Sequence, residues 1–467
     1  MGGVPAVRSV YVCQQCGAES PKWSGQCPTC AAWNTLVETV VSRAPTTAAA
    51  RARGRGAGVV PVGPGVISPI GEVESAEAGR LPSGIGEVDR VLGGGFVPGS
   101  IVLFGGDPGI GKSTLLLQLA ARLAAAGHET LYVTGEESAA QVRGRAERVN
   151  GVVAGLGLVA TTELDTALGA IASAAPSLAV VDSVQTMTSA ELGGPSGSVG
   201  QVREVATRLA ELAKSGSTCV ALVGHVTKEG TVAGPRTLEH LVDAVIYLEG
   251  ERLGSTRLVR AAKNRFGSTD EVGVLEMRGD GLVEVADASR FFLESEQPPV
   301  AGSAVTIALE GSRPLAVEIQ ALVAPAGAGS PRRATTGIDV NRVLMLIAVL
   351  ARHAGLNLTG HDVYVNVAGG LRIEEPASDL AVAAALASSL RERPVRSGTV
   401  LAGELSLSGR LRPAGHADRR LGEARRIGFE RLVTGPLREH GRAQKSPEGL
   451  LSAPDVRQAL ALALAEG

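Results

Sequence analysis

The sequence of residues 106–113 is GDPGIGKS, and this stretch decides how the rest of the chain is interpreted. It matches the phosphate-binding loop pattern completely: glycine, four residues, glycine, lysine, then serine or threonine. A strand predicted over 100–104 precedes it and a helix predicted over 112–126 follows it, which is the context that such a loop requires. The alternative, a chance glycine-rich turn, is disfavoured by this context. The predicted nucleotide-binding residues are Gly106, Asp107, Pro108, Gly109, Ile110, Gly111, Lys112, Ser113 and Thr114.

Each residue type in this loop has a physical task. The glycines let backbone N–H groups turn toward phosphate oxygens, and the helix N-terminus adds a favourable dipole. Lys112 is predicted to contact the β- and γ-phosphates, and Ser113 is predicted to bind Mg²⁺. The expected ligands are therefore ATP and Mg²⁺, and Lys112 is a predicted catalytic residue.

Acidic residues follow two of the predicted strands. Asp182 ends an apolar strand, and the carboxyl end of a parallel strand lies beside the phosphate loop, so Asp182 is predicted to assist Mg²⁺. Its alternative role is a helix cap. Glu136 and Glu137 follow the strand predicted at 130–134, where a carboxylate is well placed to orient the attacking water. An acidic first helical turn is expected to explain one of the two. Glu136 is the predicted catalytic residue and Glu137 the alternative.

The pattern of apolar segments predicts an α/β fold. Strands predicted at 130–134, 178–181, 218–223 and 244–248 alternate with helices, which indicates a parallel sheet covered on both faces. Near residue 287 the character changes to a second α/β domain. There, paired strands are predicted at 305–309 and 315–322, and helices at 340–353 and 379–391. The predicted domains are a finger at 10–38, a flexible basic linker at 39–78, a nucleotide-binding domain at 79–286 and a C-terminal domain at 287–467.

Four of the five cysteines lie within the first 30 residues and form two C-x2-C pairs separated by ten residues. Two thiolate pairs at this spacing can close a tetrahedral site that favours zinc. No ligand position is left over, so the predicted role of the metal is structural. An iron centre or a redox pair is the alternative. The predicted Zn²⁺ ligands are Cys13, Cys16, Cys27 and Cys30.

The overall composition limits the possible partners. The formal net charge is −2 and aromatic residues make up 3% of the chain, so any nucleic-acid surface must be local and extended base stacking is not expected to dominate. No apolar run approaches the roughly 20 residues of a membrane span, and the N-terminus lacks the apolar core of a signal peptide. We therefore expect a cytoplasmic protein with no membrane partner.

The sequence KNRFG at residues 263–267 places two cations, Lys263 and Arg265, two positions apart. On an extended segment both side chains point the same way. They are candidates for contact with DNA phosphates or with a neighbouring subunit's nucleotide. A solvated basic loop is the alternative that the residues alone favour.

The order of these motifs resembles that of the bacterial RadA (Sms) family of DNA-repair proteins. The order comprises a four-cysteine motif, a phosphate loop, KNRFG and a Lon-protease-like domain, and it covers nearly the whole chain. The resemblance implies a RecA-like core that assembles into a homohexameric ring on single-stranded or branched DNA. It also implies a DNA-stimulated ATPase that drives branch migration of recombination intermediates together with RecA.

The same resemblance assigns further expectations to particular residues. Lys263 and Arg265 are expected either to reach a neighbour's γ-phosphate, as an arginine finger does, or to couple DNA to the ATP site. His225 lies where RecA-like proteins sense the γ-phosphate, with a packed core histidine as the alternative. The segments 189–200 and 228–236 lie where such motors contact DNA.

Two alternative functions, a protease and an ATP-dependent protein switch, can be compared with the sequence. The sequence at 403–413 resembles a Lon protease stretch, but the expected nucleophile position is Ala377 and the expected lysine position is Asp418. Residues 372–444 contain no lysine and Ser378 has no apparent base, so we expect a proteolytically inactive domain. An ATP-dependent protein switch of the circadian-clock KaiC type also has RecA-like domains and paired glutamates. The cysteine motif and the C-terminal domain argue against it.

Overall fold

The computed structural model describes residues 7–13, 19–29, 31–33, 35–42, 79–224, 238–250, 254–293, 299–327, 330–437 and 447–466. Within it the chain divides into two compact units. The first extends to residue 249 and includes 259–269 and 277–283, and the second comprises 250–258, 270–276 and 284–467. Most of the predicted linker, from residue 43 to 78, lies outside the described residues, as do His225 and the segment 228–236.

A small antiparallel sheet stands at the N-terminus, with strands β1 (Val7–Cys13), β2 (Glu19–Ser20) and β3 (Leu36–Ser42) in the order β2-β1-β3. Cys13 pairs in register with Leu36, and both are buried together with Cys27. Among the described side chains, the three buried residues of this cluster are far fewer than the core that a stable domain usually needs. A bound metal is the usual means of stabilising so small a fold.

The sheet that contains β4 to β9 of the first unit has the strand order β12-β11-β10-β9-β4-β8-β7-β5-β6. The pairings of β4 with β8 and β9, of β7 with β8 and β5, and of β5 with β6 are all parallel. The strands are β4 (Ile101–Gly105), β5 (Thr130–Thr134), β6 (Leu156–Ala160), β7 (Leu178–Asp182), β8 (Cys219–Val223), β9 (Ala244–Glu249), β10 (Thr256–Asn264), β11 (Val272–Arg278) and β12 (Gly281–Glu284).

Helices cover both faces of this sheet. On β4, Ile101 and Leu103 join an apolar cluster with residues of α4 and α5, whereas Val102 and Phe104 are buried outside that cluster. Because alternate residues of a strand face opposite sides, neither face of β4 is left to solvent. The predicted α/β class with a parallel sheet is therefore confirmed. The helices are α1 (Gly86–Leu92), α2 (Lys112–Ala125), α3 (Ala139–Arg148), α4 (Leu164–Ala174) and α5 (Val199–Ser215).

The second unit has a seven-stranded sheet with the order β15-β16-β14-β13-β17-β20-β21 and a separate pair, β18 and β19. The strands are β13 (Ser303–Glu310), β14 (Arg313–Pro325), β15 (Arg333–Thr336), β16 (His361–Val367), β17 (Thr399–Leu401), β18 (Gly403–Leu405), β19 (Leu411–Pro413), β20 (Arg431–Thr434) and β21 (Leu450–Ser452). Its helices are α6 (Ala288–Phe291), α7 (Val340–Val349), α8 (Asp379–Arg391), α9 (Ala417–Arg426) and α10 (Val456–Ala463).

Two predicted features of this unit are confirmed in detail. β13 and β14 form an antiparallel hairpin that closes at the Glu310–Arg313 pair. The alanine-rich helix α8 is buried at every position from Asp379 to Ser388, as expected for a helix that is apolar nearly all round. The helix predicted over 340–353 continues beyond α7 as a π-helical turn, Leu350–Ala354. Among the described residues, no helix is both long and apolar enough to cross a bilayer.

Candidate nucleotide-binding and hydrolysis site

The loop at 106–113 connects β4 to α2 and depends on glycine at specific positions. Gly106, Gly109 and Gly111 have φ values of 150°, 79° and 114°, a region that other residues rarely adopt. A Cβ atom at Gly106 would also lie 2.4 Å from the carbonyl oxygen of Leu248. Backbone geometry and steric space therefore both require the glycines of the motif, and runs of such conformations form anion-binding concavities.

Lys112, the first residue of α2, is buried at this loop. Its Nζ donates to the carbonyl oxygens of Gly106 at 2.8 Å and Asp107 at 3.0 Å. Burial lowers the pKa of the Lys112 ammonium, while the carboxylates of Asp182, Glu136 and Asp107 oppose that shift. The ammonium therefore lies inside the loop and within the field of the acidic residues at the neighbouring strand ends.

Asp182, at the end of β7, is the buried carboxylate of the site. Its Oδ2 accepts a hydrogen bond of 2.5 Å from the hydroxyl of Tyr132 on β5. Burial raises the pKa of Asp182, and the hydroxyls of Tyr132 and Ser113 lower it. Burial, followed by the Asp182 carboxylate, raises the pKa of Tyr132 well above its usual value. Tyr132 therefore stays a hydrogen-bond donor at any ordinary pH.

The oxygen atoms of Asp182 and Ser113 are suitable ligands for magnesium. Asp182 Oδ1 is buried and has no hydrogen-bond partner in the part of the chain that the structure describes. The Ser113 hydroxyl lies close enough to influence the pKa of that carboxyl group. Carboxylate and hydroxyl oxygens are the hard ligands that Mg²⁺ takes, usually together with water and substrate phosphates. Ser113 and Asp182 thus form a chemically suitable pair for the expected Mg²⁺.

The two adjacent glutamates have different partners. Glu136 accepts a hydrogen bond from the Ser183 hydroxyl, and its charge influences the pKa of both Lys112 and Asp182. Glu137 instead forms an ion pair with Arg145 of α3. The negative charge of Glu136 therefore acts on Lys112 of the phosphate loop, whereas Glu137 is paired with Arg145 on the following helix.

The residues 263–267 form a connected corner of the first unit. Lys263 Nζ donates to the carbonyl oxygens of Glu239 at 2.6 Å and Val242 at 2.8 Å, and Arg265 Nη1 lies 2.9 Å from Asp243 Oδ1. Both side chains thus reach the same segment, although β10 ends at Asn264 and Arg265 lies in the bend that follows. The other oxygen of Asp243 accepts from the backbone N–H of Ile101, the first residue of β4.

Comparison with known proteins identifies three matched regions. Residues 11–38 match a rubredoxin metal binding domain, 68–231 an AAA domain, and 336–436 the subunit ChlI of Mg-chelatase. The DNA repair protein RadA of Bacillus subtilis (strain 168) is 45% identical over 457 residues, which cover 98% of this chain and 99% of that protein. RadA of Listeria monocytogenes is 46% identical over 422 residues, 90% of this chain and 91% of that protein.

This chain belongs to the RadA family of DNA repair proteins. The predicted resemblance to RadA is confirmed across nearly its whole length. A solved structure of a KaiC-like protein from Pyrococcus horikoshii OT3 is also similar, with 22% identity, a TM-score of 0.37, and coverage of 44% of this chain and 99% of that one. That score is too low to support any conclusion beyond the likeness itself.

The cysteine motif of this chain lies partly within the described residues. Cys13 and Cys27 lie in one small buried cluster, and Cys13 Sγ is 3.2 Å from the hydroxyl of Thr35. Cys16 and Cys30 lie outside the described residues. The shared cluster and the metal-binding family match are compatible with a metal held by these cysteines, and the full set of four ligands remains a prediction.

The C-terminal positions expected from the resemblance to Lon proteases are Ala377, Ser378 and Asp418. Ala377 is buried in an apolar cluster with Ala414 and Ala417. The Ser378 hydroxyl donates to the carbonyl oxygen of Glu375 at 2.8 Å, and Asp418 is exposed in the first turn of α9. These positions bring together no pair of nucleophile and base.

Three residues of the site were not predicted from the sequence: Tyr132, Arg145 and Ser183. Tyr132 carried a usable signal, because a tyrosine within a buried strand needs a partner for its hydroxyl. Arg145 and Ser183 carried none, since a basic residue on a helix and a serine after a strand are common everywhere. Their roles depend on contacts across 8 to 50 residues of sequence.

Proposed function

We propose that this chain is a DNA-dependent ATPase of recombinational DNA repair. It works as a homohexameric ring on single-stranded or branched DNA and promotes branch migration of RecA-mediated strand exchange. Family membership supports the repair function, since the relatives are named DNA repair proteins. The AAA-domain match and the phosphate loop support the ATPase.

The observation that carries the ATPase proposal is the convergence of charge at one loop. Lys112 lies within the field of Asp182, Glu136 and Asp107, which come from two other strand ends and from the loop itself. Phosphate oxygens are acceptors of the same kind as the Gly106 and Asp107 carbonyls that Lys112 now contacts. We propose that the Lys112 ammonium leaves these carbonyls and contacts β- and γ-phosphate oxygens when ATP binds. Its positive charge then stabilises the negative charge that develops on the phosphate oxygens during transfer of the phosphoryl group.

Ser113 and Asp182 are the proposed holders of Mg²⁺, with Asp182 acting mainly through water. The ion, when bound, neutralises phosphate charge and orients the transferring group. Glu136 is proposed to accept a hydrogen bond from the attacking water and to orient it in line with the γ-phosphate. The Ser183 hydroxyl, which donates to Glu136, fixes that carboxylate.

Lys263 and Arg265 are proposed to act outside their own subunit's site. The Arg265 side chain keeps 53% of its surface exposed while paired with Asp243, so it remains accessible to a neighbour's γ-phosphate or to DNA. Segment 189–200, a proposed DNA contact, is anchored by the side chain of Gln201. The Gln201 Oε1 accepts a hydrogen bond from the backbone N–H of Ser189, and its Nε2 donates to the carbonyl oxygens of Ser189 and Leu192.

The remaining parts of the chain have supporting roles in this proposal. Cys13, Cys16, Cys27 and Cys30 hold a structural Zn²⁺ in the finger at 10–38. The domain at 287–467 is Lon-protease-like but proteolytically inactive, and serves oligomerisation and DNA contact. The protein acts in the cytoplasm. The buried Ala377 and the exposed Asp418 support the absence of peptidase chemistry.

The ATPase proposal is tested by phosphate release with and without single-stranded DNA. We expect DNA to stimulate the wild-type rate. Lys112→Ala should retain DNA binding and lose hydrolysis by roughly 100-fold or more, since removing a charge-stabilising donor usually has that effect. Full ATPase activity in Lys112→Ala would overturn the assignment of the site. An ATPase rate that is indifferent to DNA would instead favour a protein switch.

A further inference from the structure

The side chains of Tyr132, Arg145, Glu137 and Asp182 form one cluster. Tyr132 of β5 donates to Asp182 Oδ2 at 2.5 Å, and Arg145 Nη1 of α3 lies 4.0 Å from that same oxygen. Arg145 uses its other terminal nitrogen for the ion pair with Glu137. Tyr132 and Asp182 are only 1% and 3% exposed, so the hydrogen bond between them is shielded from bulk water. Interactions with Asp182 Oδ2 are therefore strong relative to those at the surface.

Three buried polar atoms in the cluster have no hydrogen-bond partner among the described residues: Asp182 Oδ1, Glu137 Oε2 and Arg145 Nη1. Leaving such an atom unsatisfied costs about 1–3 kcal/mol, so three in one place are unusual in a native protein. Asp182 is asymmetric in this respect. Its Oδ2 is engaged by Tyr132 and faces Arg145. Its Oδ1 makes no hydrogen bond within the described part of the chain, although the Ser113 hydroxyl lies near the same carboxyl group and lowers its pKa.

We infer that Tyr132 and Arg145 are positioning residues that hold Asp182 by Oδ2 and thereby leave Oδ1 for magnesium or its bound water. This inference rests on the proposed ATPase and deepens it. Mg²⁺ requires near-ideal octahedral geometry, so a carboxylate that rotates freely serves it poorly. The partners of a metal-binding carboxylate commonly matter nearly as much as the carboxylate itself. Neither Tyr132 nor Arg145 needs to touch the nucleotide in this role.

The Tyr132 part is tested with Tyr132→Phe, which removes only the hydroxyl. The binding of a fluorescent, non-hydrolysable ATP analogue is measured in EDTA and across a Mg²⁺ titration. We expect binding in EDTA to stay unchanged and the Mg²⁺ concentration for half-maximal enhancement to rise about 10-fold, as for other partners of metal ligands. Tyr364→Phe, on a half-exposed tyrosine of β16, is the matched control and should behave like the wild type.

Testing the role of Arg145 requires a double variant, because removing Arg145 alone would leave the charge of Glu137 unpaired. The double variant Arg145→Gln with Glu137→Gln removes both members of the ion pair, and we expect it to raise the half-maximal Mg²⁺ concentration as well. Arg145→Lys keeps a cation and should restore part of the wild-type value. Arg143→Gln is the matched control, because Arg143 lies on the same helix with 60% of its side chain exposed and pairs with Glu147.

The outcomes separate three interpretations. A wild-type Mg²⁺ dependence in both Tyr132→Phe and the double variant would overturn the inference. So would an equal loss of binding in EDTA and in Mg²⁺, because that result indicates a purely structural role. If Tyr132→Phe does not fold, the double variant alone decides. Failure of the proposed function is distinct, since the wild-type protein itself would then show no Mg²⁺-dependent binding of the analogue.

Discussion

At the scale of single residues, two adjacent glutamates of the site have different partners. Glu136 and Glu137 directly follow β5, but Ser183 holds the first and Arg145 the second. A carboxylate engaged by a guanidinium is a poor hydrogen-bond acceptor for water, because the cation stabilises its charge and occupies its oxygen. The pairing therefore favours Glu136 as the residue that orients the attacking water.

The prediction at this scale compares Glu136→Gln with Glu137→Gln. Glu136→Gln should lower the single-turnover rate of ATP hydrolysis about 100-fold, the lower end for a positioned acid–base group, and should leave nucleotide affinity nearly unchanged. Glu137→Gln should reduce the rate much less and instead lower thermal stability, since Arg145 loses its ion-pair partner in a partly buried position. An equal or larger rate loss in Glu137→Gln would contradict this division of roles.

At the scale of elements, hydrogen bonds of residues 263–267 connect the end of β10 to β4, the strand that precedes the phosphate loop. Lys263 binds two carbonyls of the segment before β9, and Asp243 links Arg265 to the first residue of β4. Arg80 adds a bond of 2.6 Å to the carbonyl of Phe266. The motif therefore has a structural task in addition to any contact with DNA or a neighbour, and Lys263 bears more of it than the exposed Arg265.

The corresponding prediction separates the two cations. Lys263→Met leaves the carbonyls of Glu239 and Val242 without their charged donor, so we expect a loss of about 1–3 kcal/mol in unfolding free energy. Arg265→Met should lose less than about 1 kcal/mol, because its ion pair is half exposed. Both variants should lower DNA-stimulated ATPase activity. Chemical denaturation followed alongside the ATPase rate checks this, and equal stability of the two variants would contradict it.

At the scale of the whole molecule, the proposed ring makes each ATP site depend on two subunits. In the described contacts, Lys263 and Arg265 bind their own segment 239–243 and make no contact with Lys112, Glu136 or Asp182. In the proposed ring, a direct contact of these cations with ATP would come from a neighbouring copy. That dependence distinguishes a ring motor from a monomeric ATPase with the same loop.

Mixing active and inactive subunits tests the ring. Lys112→Ala subunits added to the wild-type protein should lower the DNA-stimulated rate by more than their share, because each inactive subunit also disturbs its neighbours. Arg143→Gln subunits, altered on an exposed part of α3, should cause no such loss in the same mixture. A rate that simply follows the wild-type fraction would indicate that the subunits hydrolyse ATP independently.

The sequence alone determined those features whose cause is local. The glycines of residues 106–111 adopt backbone conformations that few other residues adopt. The buried strands β4, β7 and β8 contain continuous runs of four or five apolar residues. The weaker strand β6 was not predicted. Its residues are half exposed and include Gly157, so it lacks both the apolar run and clear alternation.

Only the tertiary structure decided which polar groups meet. Arg420 sits on a helix rich in charged residues and is typical in sequence of a solvated face, yet it is fully buried against Glu375. In the same way, the phosphate loop predicted ATP binding from local sequence alone. The partners of Asp182 and Glu136 could not be predicted, because they come from β5, α3 and the residue after β7. Periodicity fixes which face of an element is buried. The contacts between groups distant in sequence depend on how the sheet orders its strands, and no local pattern encodes that order.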